Sequence, residues 1–167
     1  MVEGKIVELS VLFADLAGFT QLTNRLGADK TFGVVDRFLK VASEHLISHD
    51  GFIDKYLGDA VMAFFNVPIP HEDHALRAVS AAEEILAGMP ALGEELGVTL
   101  QARIGIATGF ARVGGLGHTE RGDYTVIGDV VNLASRLEGY AHPGEILIAS
   151  DVFAQIKERY PRSEEHT

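Results

Sequence analysis

The residues of this chain that are able to do chemistry stand where they are costly. The segment I-D-K-Y-L-G-D-A-V-M-A-F-F, residues 53–65, is apolar enough for two buried strands, yet Asp54, Lys55 and Asp59 run through its middle. The run I-V-E-L-S-V-L-F-A likewise reads as a central strand, and it leads into Asp15. A carboxylate in such surroundings is unfavourable unless it is paired or bound to a cation. Taken singly, Asp15 reads as a helix cap and Asp59 as an ordinary Gly-Asp turn residue. Taken together, they read as two carboxylates facing each other across hard divalent ions of the magnesium type, with oxygen ligands only. Two metals held in this way activate a hydroxyl and clamp a phosphate.

The residues after Asp15 favour the paired reading. Leu16-Ala17-Gly18-Phe19-Thr20 turns from strand into helix through a glycine, which puts free backbone N–H groups and the Thr20 hydroxyl at a helix N-terminus. That is an anion site. Further along, Asn132 and Arg136 are spaced i,i+4 on a helix whose neighbours Val131, Leu133, Ala134 and Leu137 are apolar. Such a pair is commonly a solvated face. Beside a phosphate, however, an arginine stabilises charge developing in phosphoryl transfer and an amide holds a sugar in line.

These side chains need a framework to position them. One domain is the natural reading of 167 residues that are 47% apolar and 23% charged. The formal charge of −10 opposes nucleic acid or an anionic lipid surface as the main partner. It does not oppose divalent cations. No apolar stretch approaches the length of a membrane helix, and the start lacks a signal peptide's basic region and apolar core. This predicts a soluble piece, cytoplasmic or the cytoplasmic domain of a larger, membrane-attached protein. The absence of cysteine removes disulfides and thiolate sites.

Periodicity supplies the order of elements. A strand ends near Asp15, and residues 19–48 read as two helices broken near Gly27, the second capped by Asp29. Residues 52–57 and 60–65 form a hairpin, and residues 71–86 a helix that ends near Gly88 and Pro90. Residues 98–106 alternate as a strand, F-A-R-V-G-G reads as a short partner strand, and Tyr124–Ile127 as another after the polar turn H-T-E-R-G-D. A helix opens at Gly128-Asp129, E-I-L-I-A is a last strand, and Ser150-Asp151 starts a short helix. The order predicts an α+β fold of mostly antiparallel sheet with helices packed on one face.

Two other signals are weaker. His71-Glu72-Asp73-His74 places two histidines at i,i+3 but lacks the zinc-protease spacing, and a hydrophilic first helical turn after Pro70 explains it. The glycines between 109 and 117 lack the helix and ribose-binding acid of a dinucleotide loop and read as strand and turn glycines.

Four segments in one order and spacing resemble a known family. F-A-D-L-A-G-F-T, D-K-Y-L-G-D-A-V-M-A-F-F, A-R-I-G-I-A-T-G and Y-T-V-I-G-D-V-V-N-L-A-S-R-L-E together resemble the catalytic domain of class III adenylate cyclases across nearly the whole chain. The resemblance implies a ferredoxin-like cyclase core, active as a head-to-tail homodimer with composite sites at the interface. By this similarity Asp15, Asp59 and the Leu16 carbonyl hold two Mg²⁺ or Mn²⁺ ions per active site. The Gly18 and Phe19 amides and the Thr20 hydroxyl contact the triphosphate, and Arg103 reaches its distal phosphates. The partner chain supplies Lys55 and Thr125 to read adenine, Asn132 to orient the ribose and Arg136 to meet the α-phosphate. Lys55 and Asp59 share one hairpin because they serve different nucleotides, one on each side of the dimer axis. Asp54 is left as an exposed or ion-paired residue.

The implied reaction is attack of the ribose 3′ oxygen on the α-phosphorus of ATP, giving 3′,5′-cyclic AMP and pyrophosphate. Thr125 stands where many members carry aspartate, which resembles the class IIIb subgroup, several of whose members respond to bicarbonate or carbon dioxide. Lys55 with Thr125 favours ATP over GTP, whose readers in this family use glutamate and cysteine. Family members usually continue into another strand pair bearing a triphosphate-binding lysine, whereas this sequence stops at P-R-S-E-E-H-T; the expectation is a cyclase domain over residues 1–167, truncated or cut from a longer protein. The alternatives are a guanylate cyclase and a non-catalytic nucleotide-binding dimerisation module. Diguanylate cyclases share the general fold, but no G-G-D-E-F-like turn occurs.

Overall fold

The computed structural model describes residues 4–115 and 124–158. Strand β1 (Lys5–Leu16) is the middle of the sheet and explains its own sequence. Leu9, Val11 and Phe13 point to one buried cluster, and Leu12, Ala14 and Leu16 to the other. With both faces covered, the strand reads as a continuous apolar run rather than a strict alternation.

Helices α1 (Phe19–Leu26) and α2 (Ala28–Ser48) follow, then the hairpin of β2 (Phe52–Leu57) and β3 (Ala60–Phe65). Gly58, at φ +66°, makes the hairpin turn at a backbone angle that favours glycine. Helix α3 (His74–Leu96), strands β4 (Ala102–Gly115) and β5 (Tyr124–Ile127), helix α4 (Asp129–Tyr140), strand β6 (Ile146–Ile148) and helix α5 (Ser150–Ile156) complete the described chain. The sheet order is β2-β3-β1-β4-β5, all antiparallel, with β6 adding parallel to β4. This is the expected α+β fold.

Three expectations need correction. Helix α3 does not end at Gly88 and Pro90 but runs through the proline to Leu96. Proline removes one helical hydrogen bond, but Met89 and Leu92 on either side are buried in the core and hold the helix in place. The true end is Gly97 at φ +74°, where the Val98 N–H donates to the Gly93 carbonyl at 2.9 Å. Residues 98–106 and F-A-R-V-G-G are not two paired strands: β4 is one strand, pairing with β1 from Lys5↔Val113 to Leu16↔Ala102. The helices also occupy both faces. Residues of α1, α2, α3 and α5 pack on the face of Leu12 and Ala14, while Val130 and Ala134 of α4 pack on the face of Leu9 and Val11. The polar turn expected at residues 118–123 lies outside the described residues.

Asp29 lies in the first turn of α2 but makes no capping hydrogen bond. Among the described residues no helix is long and apolar enough to cross a membrane.

Candidate active site

Strand pairing assembles the site at the C-terminal end of β1. Asp15 lies opposite Arg103 of β4 on one side and opposite Ala60 of β3 on the other, so Asp59 is one residue from the same rung. The Arg103 Nε donates to Asp15 Oδ1 at 3.1 Å and Nη2 to Oδ2 at 2.9 Å, a two-point pair on a carboxylate that is only 8% exposed. Such a charge-assisted fork fixes both side chains. Asp15 is therefore not a helix cap; the N-cap of α1 is Gly18, at φ +73°.

A third acid joins them. The Arg103 Nη2 lies 3.5 Å from Glu138 Oε2, an ion-pair distance, while that oxygen is buried without a hydrogen-bond partner. Asp15, Asp59 and Glu138 are thus gathered around one guanidinium. Burial raises the Asp59 pKa, and the neighbouring Asp15 charge raises it further, against the lowering effect of its own backbone hydrogen bond and of Arg103. Burial likewise pushes Glu138 up to about 8, with the hydrogen bond and charge of Asp15 adding to it and Arg103 opposing. Both shifts start from burial and are increased by the neighbouring Asp15, with Arg103 opposing each.

The strand leaves this cluster through Ala17, whose N–H donates to the Gln101 carbonyl at 2.9 Å, and turns at Gly18 into α1. The first N–H groups of a helix have no partner within it. Gly18, Phe19 and Thr20 carry these groups at the exposed start of α1. A cavity of about 540 Å³ is lined by Asp15, Leu16, Gly18, Phe19, Thr20, Asp59 and Arg103. It places an anion-accepting helix start beside a carboxylate cluster. Oxygen donors of this kind fit a hard divalent cation, and in this structure the Arg103 guanidinium supplies the countercharge to Asp15. The donors are two aspartates and a backbone carbonyl, and no group of three His, Cys, Asp or Glu side chains among the described residues is arranged to hold a metal.

The remaining candidates stand elsewhere. Lys55 of β2 has its side chain 55% exposed and its Nζ 3.5 Å from Asp54 Oδ2. The strand register shifts between Ile53 and Lys55, so Asp54 occupies a bulge, with its side chain largely covered. Thr125 of β5 pairs with Gly114 of β4. Lys55 and Thr125 thus lie on the two outermost strands of the main path, and neither lines the cavity of Asp15. Asn132 and Arg136 are exposed on α4, while Val130 and Ala134 face inward.

Glu138 is the residue that motif reading missed. Its signal was periodicity: Val130, Ala134, Leu137, Glu138 and Ala141 repeat at i, i+4, i+7, i+8 and i+11, which puts the glutamate on the buried stripe of α4. The histidines at 71 and 74 separate. His74 is buried and contacts Ser10 Oγ through Nδ1 at 2.7 Å and Glu8 Oε1 through Nε2 at 3.2 Å, whereas His71 approaches Asp50 at 3.8 Å.

Comparison with known proteins gives this geometry a context. The adenylate and guanylate cyclase catalytic domain family matches residues 1–166. Adenylate cyclase 1 of Rhizobium meliloti is 34% identical over 157 residues, which are 90% of this chain and 24% of that protein. The chain therefore spans about a quarter of that relative's length. The crystal structure of the adenylyl cyclase CyaB from P. aeruginosa superposes with a TM-score of 0.85 at 38% identity, covering 93% of this chain and 83% of that one. The guanylyl cyclase Cya2 superposes with a TM-score of 0.83 at 31% identity, covering 91% and 79%.

Proposed function

This chain belongs to the adenylate and guanylate cyclase catalytic domain family, and from that premise we propose that it converts ATP to 3′,5′-cyclic AMP and pyrophosphate in a site shared between two copies. The observation that carries the reading is the cavity in which Asp15 and Asp59 meet the start of α1 and Arg103. Carboxylates for cations and N–H groups for phosphate are what a nucleoside triphosphate bound with divalent metal requires.

Asp15, Asp59 and the Leu16 carbonyl would hold two Mg²⁺ or Mn²⁺ ions. When bound, these lower the pKa of the ribose 3′ hydroxyl and offset phosphate charge. The chain's own groups do the positioning. Gly18, Phe19 and Thr20 receive phosphate oxygens at the start of α1, and Arg103 offers a planar fork to the distal phosphates. Holding the 3′ oxygen and the α-phosphorus in line supplies the proximity term that such a ring closure needs.

The division of residues favours a head-to-tail homodimer. Asn132 and Arg136 are exposed and Lys55 half-exposed on surfaces outside the cavity, so a second copy is the natural source of the ribose and transition-state contacts. In this reading the partner's α4 brings an amide to the ribose and a guanidinium to the α-phosphate. Lys55 and Thr125 read the base, with the Thr125 hydroxyl accepting from the adenine amino group. We do not extend the reading to bicarbonate, for which neither the site nor the relatives give support.

The similarity to Cya2, described as a guanylyl cyclase, keeps GTP as the competing substrate. Product formation from ATP and from GTP with Mn²⁺, measured at several protein concentrations, decides between them. Cyclic AMP formation that rises more than in proportion to protein concentration is expected. Preferential turnover of GTP would replace the ATP assignment, and tight nucleotide binding without any cyclic product would leave a binding module.

A further inference from the structure

Three observations single out Glu138. It lies on the buried stripe of α4 with its side chain 12% exposed, and its Oε2 is 3.5 Å from Arg103 Nη2 with no hydrogen bond of its own. It is delivered there by a close backbone approach: a Cβ on Gly105 would sit 2.3 Å from the Glu138 nitrogen and 2.5 Å from the Ala134 carbonyl oxygen. Only the absence of a side chain at 105 lets α4 lie that near β4, two residues along the strand from Arg103. Finally, Arg103 spends both arms of its fork on Asp15, the carboxylate that the functional reading assigns to a cation.

The difficulty is one of competing countercharges. A divalent cation on Asp15 would compete with the guanidinium, because two positive charges drawn to the same two oxygens repel each other at close range. The freed Arg103 would then be repelled by the incoming ion. An acid that is already buried within ion-pair distance is the group that retains it. We propose that Glu138 is a positioning residue for Arg103: it shares the guanidinium with Asp15 and takes it over when a divalent cation occupies Asp15. Arg103 then remains in the cavity with its free N–H groups turned to the distal phosphates. This role rests on the functional reading above and adds a residue to it. Glu138 itself touches neither cation nor nucleotide in this account and acts through the arginine.

The test is a double-mutant cycle on the full chain between Glu138→Gln and Arg103→Gln, with two readouts. Mn²⁺ binding without nucleotide is followed by the loss of the free-ion electron paramagnetic resonance signal, and KM and kcat for ATP are measured with Mn²⁺. Glu138→Gln is expected to weaken Mn²⁺ binding and to raise KM, each about five- to tenfold, with kcat changed less than about threefold. In the Arg103→Gln background it should change neither, because the group it acts through is gone. Glu138→Asp, which keeps an ionisable carboxyl on a shorter arm, should recover part of the loss. Equal effects of Glu138→Gln in both backgrounds, or no effect in either, would overturn the positioning role. Should Glu138→Gln fail to fold, the comparison moves to Glu138→Asp alone and in the Arg103→Gln background, and additive effects there overturn the role equally. Wild-type protein that forms cyclic product while the cycle is additive loses only this inference. Wild-type protein that binds neither Mn²⁺ nor ATP loses the functional reading as well.

Discussion

Asp15 and Arg103 face each other across adjacent strands and are joined at two points, Nε to Oδ1 at 3.1 Å and Nη2 to Oδ2 at 2.9 Å. Breaking a largely buried pair from one side costs roughly 3 to 5 kcal/mol, because it strands the other charge. Arg103→Ala should therefore lower the metal-free stability by about 3 kcal/mol in urea unfolding. Millimolar Mn²⁺ should recover more stability in this variant than in wild type, since a cation that binds only the folded state stabilises it. Equal recovery in both proteins would separate Asp15 from the metal.

Asp59 sits beside that pair with a carboxyl pKa raised by burial and by Asp15. Asp59→Asn keeps the shape and removes the charge. Its cyclase activity with Mn²⁺ should fall by on the order of a hundredfold or more, with the fold intact by circular dichroism. Turnover within a factor of two of wild type would refute the metal assignment.

If the proposed site is shared between two copies, two dead chains should rescue each other. Asp59→Ala spoils the cavity half and Arg136→Ala the α4 half. Mixed in equal amounts, half of the dimers are mixed and each has one intact site, so about a quarter of the wild-type activity should return. Activity that stays at the level of the separate variants excludes the head-to-tail arrangement.

Base selection is tested at Lys55 and Thr125 together. A site built to hydrogen-bond one base edge rejects another by leaving polar groups unpaired. Lys55→Glu with Thr125→Cys should shift the ratio of kcat/KM for ATP over GTP at least tenfold toward GTP. An unchanged ratio would show that the base is read elsewhere, a sharp question given that these residues lie on the outermost strands of the sheet path.

A pH effect away from the site follows from Glu84, which ties α3 to α2. Its Oε2 lies 2.9 Å from His49 Nε2 and its Oε1 3.0 Å from His45 Nδ1. The hydrogen bond to His49, helped by that to His45, holds its pKa below the usual 4.5. A depressed carboxyl pKa gives stability that is present above the unfolded value and lost as pH falls through the folded one. Glu84→Gln should therefore lower Tm at pH 6, and the gap to wild type should close as pH is taken below 4.5 toward the lowered value. A gap that is constant with pH would mean that packing, not charge, is what the substitution removes.

Much of this was legible in the sequence because the deciding signals are local. The apolar run ending in Asp15, the Gly58-Asp59 turn and the Gly18 helix start each carry their own punctuation, and β1 joins the first two through ordinary strand pairing. What was illegible depended on tertiary support. Pro90 reads as a stop, yet buried Met89 and Leu92 carry the helix past it. Residues 107–109 lie between the two strands expected at 98–106 and 110–115, yet all of β1 pairs with β4 through them, and Val130 lies over Gly109, 3.5 Å from where a Cβ would be. Asp54, expected to be exposed or ion-paired, pairs with Lys55 in a bulge. Glu138 was visible only to a reader who counted turns along α4, because acids adjacent to an obvious Asn/Arg motif draw no attention until a strand residue such as Arg103 turns out to lie beneath them.

The tight seat at Gly105 makes strand and helix a single mechanical part. Gly105→Ala would press a methyl group into the α4 backbone, at 2.3 Å from the Glu138 nitrogen, and α4 would have to lift. On the proposed dimer that one helix reaches inward to Arg103 of its own cavity through Glu138 and outward to its neighbour's nucleotide through Asn132 and Arg136. Any displacement of this one helix would therefore disturb both catalytic centres of such a dimer at once.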